Sequence, residues 1–181
     1  MENGGKNLIV IFPGRGYTAD MPLLYYAGLK YYVKGYENVR IDYGGCVKDD
    51  KPFEDIIADI KKAALEQIKG VDFSIYDDVV FISKSLGTVI AVWLADTLNI
   101  NARHIYLTPI YATLQYIKKG KNINAVIAGT KDKSLETSVL KAHCEREGKK
   151  LELIEGADHS LETMGDAGIN IDILKKVVEF Y

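Results

Sequence analysis

Cysteine is almost missing from this chain of 181 residues: Cys46 and Cys144 are the whole supply. Two distant thiols cannot build a disulfide framework or a cysteine metal site, so they read as reduced thiols of a cytoplasmic protein. A large excess of one charge is also missing, because the net charge is −2. That balance gives no reason to expect nucleic acid or an anionic membrane as a partner. Long hydrophobic runs are absent too. The longest uncharged apolar stretch, around residues 86–95, falls short of the about 20 residues that cross a bilayer. The first six residues, Met-Glu-Asn-Gly-Gly-Lys, hold no apolar segment of the kind a secretory signal needs. There is no linker, repeat or low-complexity tract, so residues 1–181 are expected to form a single domain. What remains is ordinary globular material, 48% hydrophobic and 27% charged, and enough of it to bury a substantial core.

Apolar runs alternate with helical patterns along the chain. Strands are expected at 8–12, 38–43, 79–82, 103–107, 125–129 and 150–154. Between them, helices are expected from about residue 20 to Gly35, with Pro22 in the first turn, and from Pro52 to Gly70. Further helices are expected over 88–98, from a Ser134 cap to Gly148, and over 170–181, with a short one ending near Lys119. In the second helix Phe53, Ile56, Ile57, Ile60, Ala64 and Ile68 recur at helical spacing. This alternation predicts an α/β fold: a doubly wound, mainly parallel six-stranded sheet with helices on both faces. Functional loops should then gather at the carboxyl ends of the strands.

The third strand runs into Ser83-Lys84-Ser85-Leu86-Gly87 and then a helix. A strand, a tight turn with small residues around a serine, and a helix is the layout of a nucleophile elbow, which lifts Ser85 Oγ out at the sheet edge. An ordinary βα turn containing serines would read the same way, so the rest of the chain must decide. A serine nucleophile needs a base, and the histidines are His104, His143 and His159. His104 opens a strand, at the wrong edge of the sheet, and His143 lies within a helix. Only His159, in Gly156-Ala157-Asp158-His159-Ser160, follows a strand at its carboxyl end. An imidazole base also needs a carboxylate to fix its tautomer. The loop after the fourth strand has no acid. Asp158 adjoins His159 and is poorly placed to face its ring, and Glu136 lies too far along. Asp132, in Gly129-Thr130-Lys131-Asp132-Lys133, is the remaining choice, although a solvated turn residue between two lysines would look alike.

The order Ser85, Asp132, His159 resembles that of the α/β-hydrolase superfamily, over nearly the whole chain. The departure is Ser83, where glycine is commoner. The resemblance implies a minimal α/β-hydrolase fold in which Ser85 attacks an acyl carbon, His159 relays the proton and Asp132 orients His159. It also implies an oxyanion hole with one N–H from Leu86 and a second from the loop Pro13-Gly14-Arg15-Gly16, where Arg15 is the first choice and Gly16 the next. The segment between the fourth and fifth strands, where this superfamily often inserts a lid, holds room for only one short helix, so the site should be open and shallow. Tyr17, Tyr43 and Tyr111 fall just past strand ends and are candidates to line its pocket. Tyr25, Tyr26, Tyr31 and Tyr32 lie on the first helix as packing or partner-facing groups, which leaves a homodimer open.

The expected function is a small lidless serine hydrolase that cleaves small-molecule carboxylic esters, or thioesters, through an acyl-enzyme, with no cofactor and no metal. Two rivals stand beside it. One is a non-catalytic hydrolase-like binding domain. The other is a dinucleotide-binding domain, since Gly14-x-Gly16-x-x-Ala19 after the first strand and Asp42 at the second imitate that fingerprint. Against it, a helix starting on those glycines would hold Pro22 in its interior, at about 3 kcal/mol. Asp42 also lies further on than the usual spacing of about 20 residues.

Overall fold

The computed structural model describes residues 5–47 and 50–181. The start of the chain, on which the argument against a secretory signal rests, therefore lies outside the described residues over 1–4. Strand β1 (Lys6–Phe12) buries every residue from Leu8 to Phe12, so both of its faces must be covered. The chain supplies the cover by alternation. Helix α1 (Pro22–Val33) leads to β2 (Glu37–Arg40), and α2 (Phe53–Ile68) leads to β3 (Tyr76–Lys84). Then come α3 (Leu86–Thr97), β4 (Arg103–Leu107), β5 (Ile123–Gly129), α4 (Thr137–Glu147), β6 (Leu151–Ile154) and α5 (Ala167–Glu179). The strands form one six-stranded sheet in the order β2-β1-β3-β4-β5-β6, and every neighbouring pair is parallel. The doubly wound α/β architecture expected from the sequence is the one observed.

Alternate residues of each strand feed opposite layers. Ile9, Ile11, Val80, Ile82 and Ile105 pack under α1 and α5, against Leu24, Ala27, Ile173 and Val177. Leu8, Val10, Phe12, Val79 and Phe81 face the other way, onto Ile56, Ile60 and Ala64 of α2 and Ile90 and Leu94 of α3. Val126 and Ala128 of β5 continue that layer under α4, through Leu140 and Cys144. Of the apolar positions expected on α2, Ile56, Ile60, Ala64 and Ile68 are buried, while Phe53 at its start is exposed.

Three helix starts differ from the sequence reading; one is α3, expected from residue 88, which begins at Leu86. Ser134 does not cap α4, which begins at Thr137. The Ser134 N–H is instead taken by the Asp132 carboxylate at 2.7 Å, and Leu135 is buried, so the segment is held as a loop against the core. The last helix starts at Ala167 rather than Asn170, because Asp166 caps it by accepting from the N–H groups of Gly168 and Ile169.

His104 shows how the core responds to acid. Its ring lies 5.5 Å from those of Phe81 and Tyr106, with Nδ1 buried and unpartnered. Burial pushes its pKa down from 6.5 to about 4. Between those values the unfolded chain binds a proton that the folded chain refuses, so stability is present above the window and is lost as pH falls through it. The loss amounts to about 3 kcal/mol, at about 1.4 kcal/mol for each tenfold change in proton affinity. Urea unfolding of wild type between neutral pH and pH about 4 should therefore show a steeper loss than His104→Phe, where no imidazole titrates. Parallel pH dependences in the two proteins would refute this.

Candidate active site

β3 ends at Lys84 and α3 starts at Leu86, so Ser85 alone makes the turn between them. It does so at φ 52° and ψ −119°, a conformation that side chains rarely adopt. The turn is pinned from both sides. The Ser85 N–H donates to the Leu107 carbonyl at 2.9 Å, and the Ser85 carbonyl accepts from the Thr88 N–H at 3.0 Å and the Thr88 hydroxyl at 2.6 Å. Space matters as much as hydrogen bonding. A Cβ on Gly87 would sit 2.4 Å from the carbonyl oxygens of both Phe12 and Pro13, so only glycine lets the end of β1 pass this close to the start of α3. Ser83, which stands where glycine is commoner, is fully buried, with Oγ 3.4 Å from the Ile105 carbonyl. Gly87→Ala is expected to lower stability by about 1–3 kcal/mol through overpacking against backbone that cannot move aside. An unchanged urea midpoint in that variant would refute the clash.

The loops after β5 and β6 meet beside this turn. Their approach again depends on a glycine: a Cβ on Gly129 would lie 2.1 Å from the Ala157 carbonyl oxygen. The Lys131 N–H donates to that same carbonyl at 2.9 Å, and the Gly156 N–H donates to the Thr130 hydroxyl at 2.8 Å. Stitched in this way, the loops bring Asp132 and His159 to Ser85. His159 Nδ1 lies 2.7 Å from Asp132 Oδ2, and His159 Nε2 lies 2.8 Å from Ser85 Oγ. A ring protonated on Nδ1 donates to Asp132 and leaves Nε2 to accept the serine hydroxyl. The Asp132 side chain is 2% exposed and that of His159 is 33% exposed, so the carboxylate is dry and the ring partly meets solvent. Burial alone would raise the Asp132 carboxyl, but hydrogen bonds from His159 and the Ser134 N–H outweigh it and hold the group below its usual range. The Asp158 carboxylate turns to its own loop, where it accepts the N–H groups of Ser160 and Glu162 and shapes the turn. His104 stays in the core, and His143 on α4 has Nε2 2.8 Å from the Ile117 carbonyl, outside this cluster.

Leu86 heads α3, and the first N–H groups of a helix lack intrahelical partners. In the loop after β1, Arg15 and Gly16 are exposed. The residue packed against the serine is Gly14, whose Cβ position would be 3.3 Å from Ser85 Cβ. Gly14 is thus a neighbour that the sequence reading passes over, although it stands in the same motif. A cleft of about 420 Å³ opens beside it, bordered by Gly14, Arg15, Ile41, Asp42, Tyr43 and Val47. Tyr17 lines a different, smaller hollow with Leu23 and Leu161, and its hydroxyl accepts the Leu23 N–H. Tyr111 is exposed, on the 3-10 turn Tyr111–Tyr116 that is the one helical piece between β4 and β5. The two loop glycines precede α1 rather than starting it, and Pro22 opens the helix, which does not match a dinucleotide fingerprint. Among the described residues, no group of three or more His, Cys, Asp or Glu side chains is placed to hold a metal ion. None of the helices among them is long and apolar enough to cross a membrane.

This arrangement of sheet, elbow and loops is the α/β-hydrolase fold. Several solved structures share it at low sequence identity. An esterase from the Planctomycetes species Thermogutta terrifontis is 19% identical and matches over 97% of this chain and 79% of its own, with a TM-score of 0.64. Est1E from Butyrivibrio proteoclasticus is 14% identical over 99% of this chain and 88% of its own, with a TM-score of 0.67. A serine hydrolase without a lid from Xanthomonas campestris is 14% identical over 99% and 84%, with a TM-score of 0.62. No protein-family model and no curated protein sequence matches the chain.

Proposed function

We propose that this protein is a serine hydrolase that cleaves small-molecule carboxylic esters or thioesters through an acyl-enzyme. The observation that carries the reading is the unbroken chain from Asp132 through both ring nitrogens of His159 to Ser85 Oγ, at 2.7 and 2.8 Å. Those distances are within reach for proton transfer. Est1E, one of the structures that share the fold, has also been seen with ferulic acid bound.

In this mechanism Ser85 Oγ attacks the acyl carbon as its proton passes to His159 Nε2. The imidazolium that forms faces the Asp132 carboxylate across Nδ1. The substrate oxygen gains charge as the carbon becomes tetrahedral, and the Leu86 N–H, with a second donor from the loop after β1, Arg15 first and Gly16 next, stabilises it. Each such donor contributes about 3–4 kcal/mol. His159 then returns its proton to the leaving alkoxide or thiolate. Water repeats the cycle on the acyl-enzyme, releases the acid and restores Ser85. The partly exposed base and the short segment between β4 and β5 favour small or solvent-facing acyl groups over long buried chains.

A fluorophosphonate probe and a panel of p-nitrophenyl esters and acyl thioesters of increasing acyl length test the reading. Labelling at Ser85 and turnover that is best for short acyl groups are expected. A protein inert to the probe and to every substrate would sink the reading in favour of a binding domain.

A further inference from the structure

Lys84 precedes the serine, and the residue is 1% exposed. A buried ammonium is costly unless its hydrogens are used. Here Nζ donates to the Thr108 hydroxyl at 2.8 Å and to the backbone carbonyl of His159 at 2.6 Å, and it lies 4.8 Å from the centre of the Tyr17 ring. Thr108 follows β4, His159 follows β6 and Tyr17 follows β1. One cation on β3 therefore touches the loops after three other strands. Thr108, like Ser85, has a positive φ, 43°, and Lys84 holds its side-chain hydroxyl.

From this geometry we infer that Lys84 is a positioning residue, which fixes the His159 loop to the elbow through the His159 carbonyl and so sets the distance from Nε2 to Ser85 Oγ. The inference rests on the serine-hydrolase reading. The physical basis is that Lys84 and Ser85 are adjacent in the chain. Holding the carbonyl of His159 from Lys84 ties nucleophile and base into one body, and a helix or distant loop could not do this with so few intervening bonds. The loop is stitched to its neighbour at Gly156 and Ala157, but among the described residues the other hydrogen bonds of His159 itself run through its ring. Losing the tether frees the backbone while leaving both ring contacts geometrically available, which predicts a loss of alignment rather than a loss of chemistry. Misplacement by about 1 Å can lower a rate about 100-fold.

The charged and titratable groups around Nζ are Asp132 on the loop after β5, Asp158, His159 and Glu162 on the loop after β6, and Tyr17 on the loop after β1. Burial draws the Lys84 ammonium down to about 8, against the three carboxylates that raise it. Tyr17, also buried, is pushed up to about 12 and stays neutral over that range. The tether should therefore weaken as pH rises through about 8.

Lys84→Met, which keeps the length and removes the charge, tests this. Turnover of the best ester is measured per fluorophosphonate-labelled site, so that unfolded molecules do not count. Expected are a kcat about 10- to 100-fold below wild type with KM within about twofold. The wild-type alkaline fall in kcat near pH 8 should be missing from the residual activity of Lys84→Met. Proton NMR should show the His159 Nδ1–H resonance exchanging faster in the variant. Wild-type kcat per labelled site in Lys84→Met, or an alkaline fall kept by it, would overturn the inference while the hydrolase reading stands. A wild type that neither labels nor turns over any ester would overturn both.

Discussion

Ser85→Ala is expected to lower ester turnover about 10⁶-fold and to abolish fluorophosphonate labelling, because among the described residues Ser85 carries the one hydroxyl hydrogen-bonded to the His159 ring. His159 Nε2 and Ser85 Oγ are 2.8 Å apart, and the nearby Thr88 hydroxyl is already committed to the Ser85 carbonyl and to Thr113. His159→Ala should fall by a similar factor, since nucleophile and base act as a unit and removing either removes the pathway. Stability is expected to separate the variants at position 85. Alanine keeps the φ of 52° that the elbow imposes, so its melting temperature should stay near that of wild type. Glycine accepts that backbone without a Cβ, so Ser85→Gly should be more stable than Ser85→Ala by about 1–2 kcal/mol while remaining inactive. Such a gain would mean that the fold holds strain at the position where the hydroxyl is presented. Measurable ester turnover in Ser85→Ala would remove Ser85 from the mechanism, and equal urea midpoints for the two variants would remove the strain.

The centre of the sheet is legible in the sequence because its strands are buried on both faces, whereas the edge strand β2, expected over 38–43, is largely exposed and ends at Arg40. Runs such as 8–12 and 79–82 have no polar residue to interrupt them, and the strand at 103–107 has the bounds that its apolar pattern implies. The cluster of Ser85, Asp132 and His159 is legible because a parallel sheet sends every strand's carboxyl end to one rim, so position along the chain already implies nearness in space. What stays hidden is set by three-dimensional crowding. Gly129 and Gly87 are ordinary letters in the chain, and only the backbone oxygens 2.1 and 2.4 Å from their Cβ positions show why each must be glycine. Lys84 is equally opaque, since a lysine beside a serine normally points to water. Its partners, Thr108 and the His159 carbonyl, are distant in sequence. The start of α4 is hidden for a related reason: Asp132 takes the Ser134 N–H, so a residue of the candidate site overrides a local capping preference.

Asp132→Asn tests the acid with the least disturbance to shape. Asparagine fills the same volume and can still accept the Ser134 N–H that Asp132 Oδ1 now holds at 2.7 Å. What changes is the group facing His159 Nδ1. A carboxylate only accepts, so it keeps the ring proton on Nδ1 and leaves the Nε2 lone pair for Ser85. An amide can present its NH₂ instead, which stabilises the opposite tautomer and puts the proton on Nε2, where the ring can no longer receive one from the serine. The positive charge that develops on the ring also loses its counter-charge in a place where the acid side chain is only 2% exposed. Together these effects should lower kcat about 10⁴-fold, with KM little changed because no substrate contact is altered. Asp158→Asn supplies the contrast. Among the described residues its carboxylate accepts the backbone N–H groups of Ser160 and Glu162 in its own loop, which an amide oxygen can also do, so its kcat should stay within about tenfold of wild type. If the two variants exchange these results, the carboxylate beside His159 in sequence, and not the one across the sheet rim, orients the base.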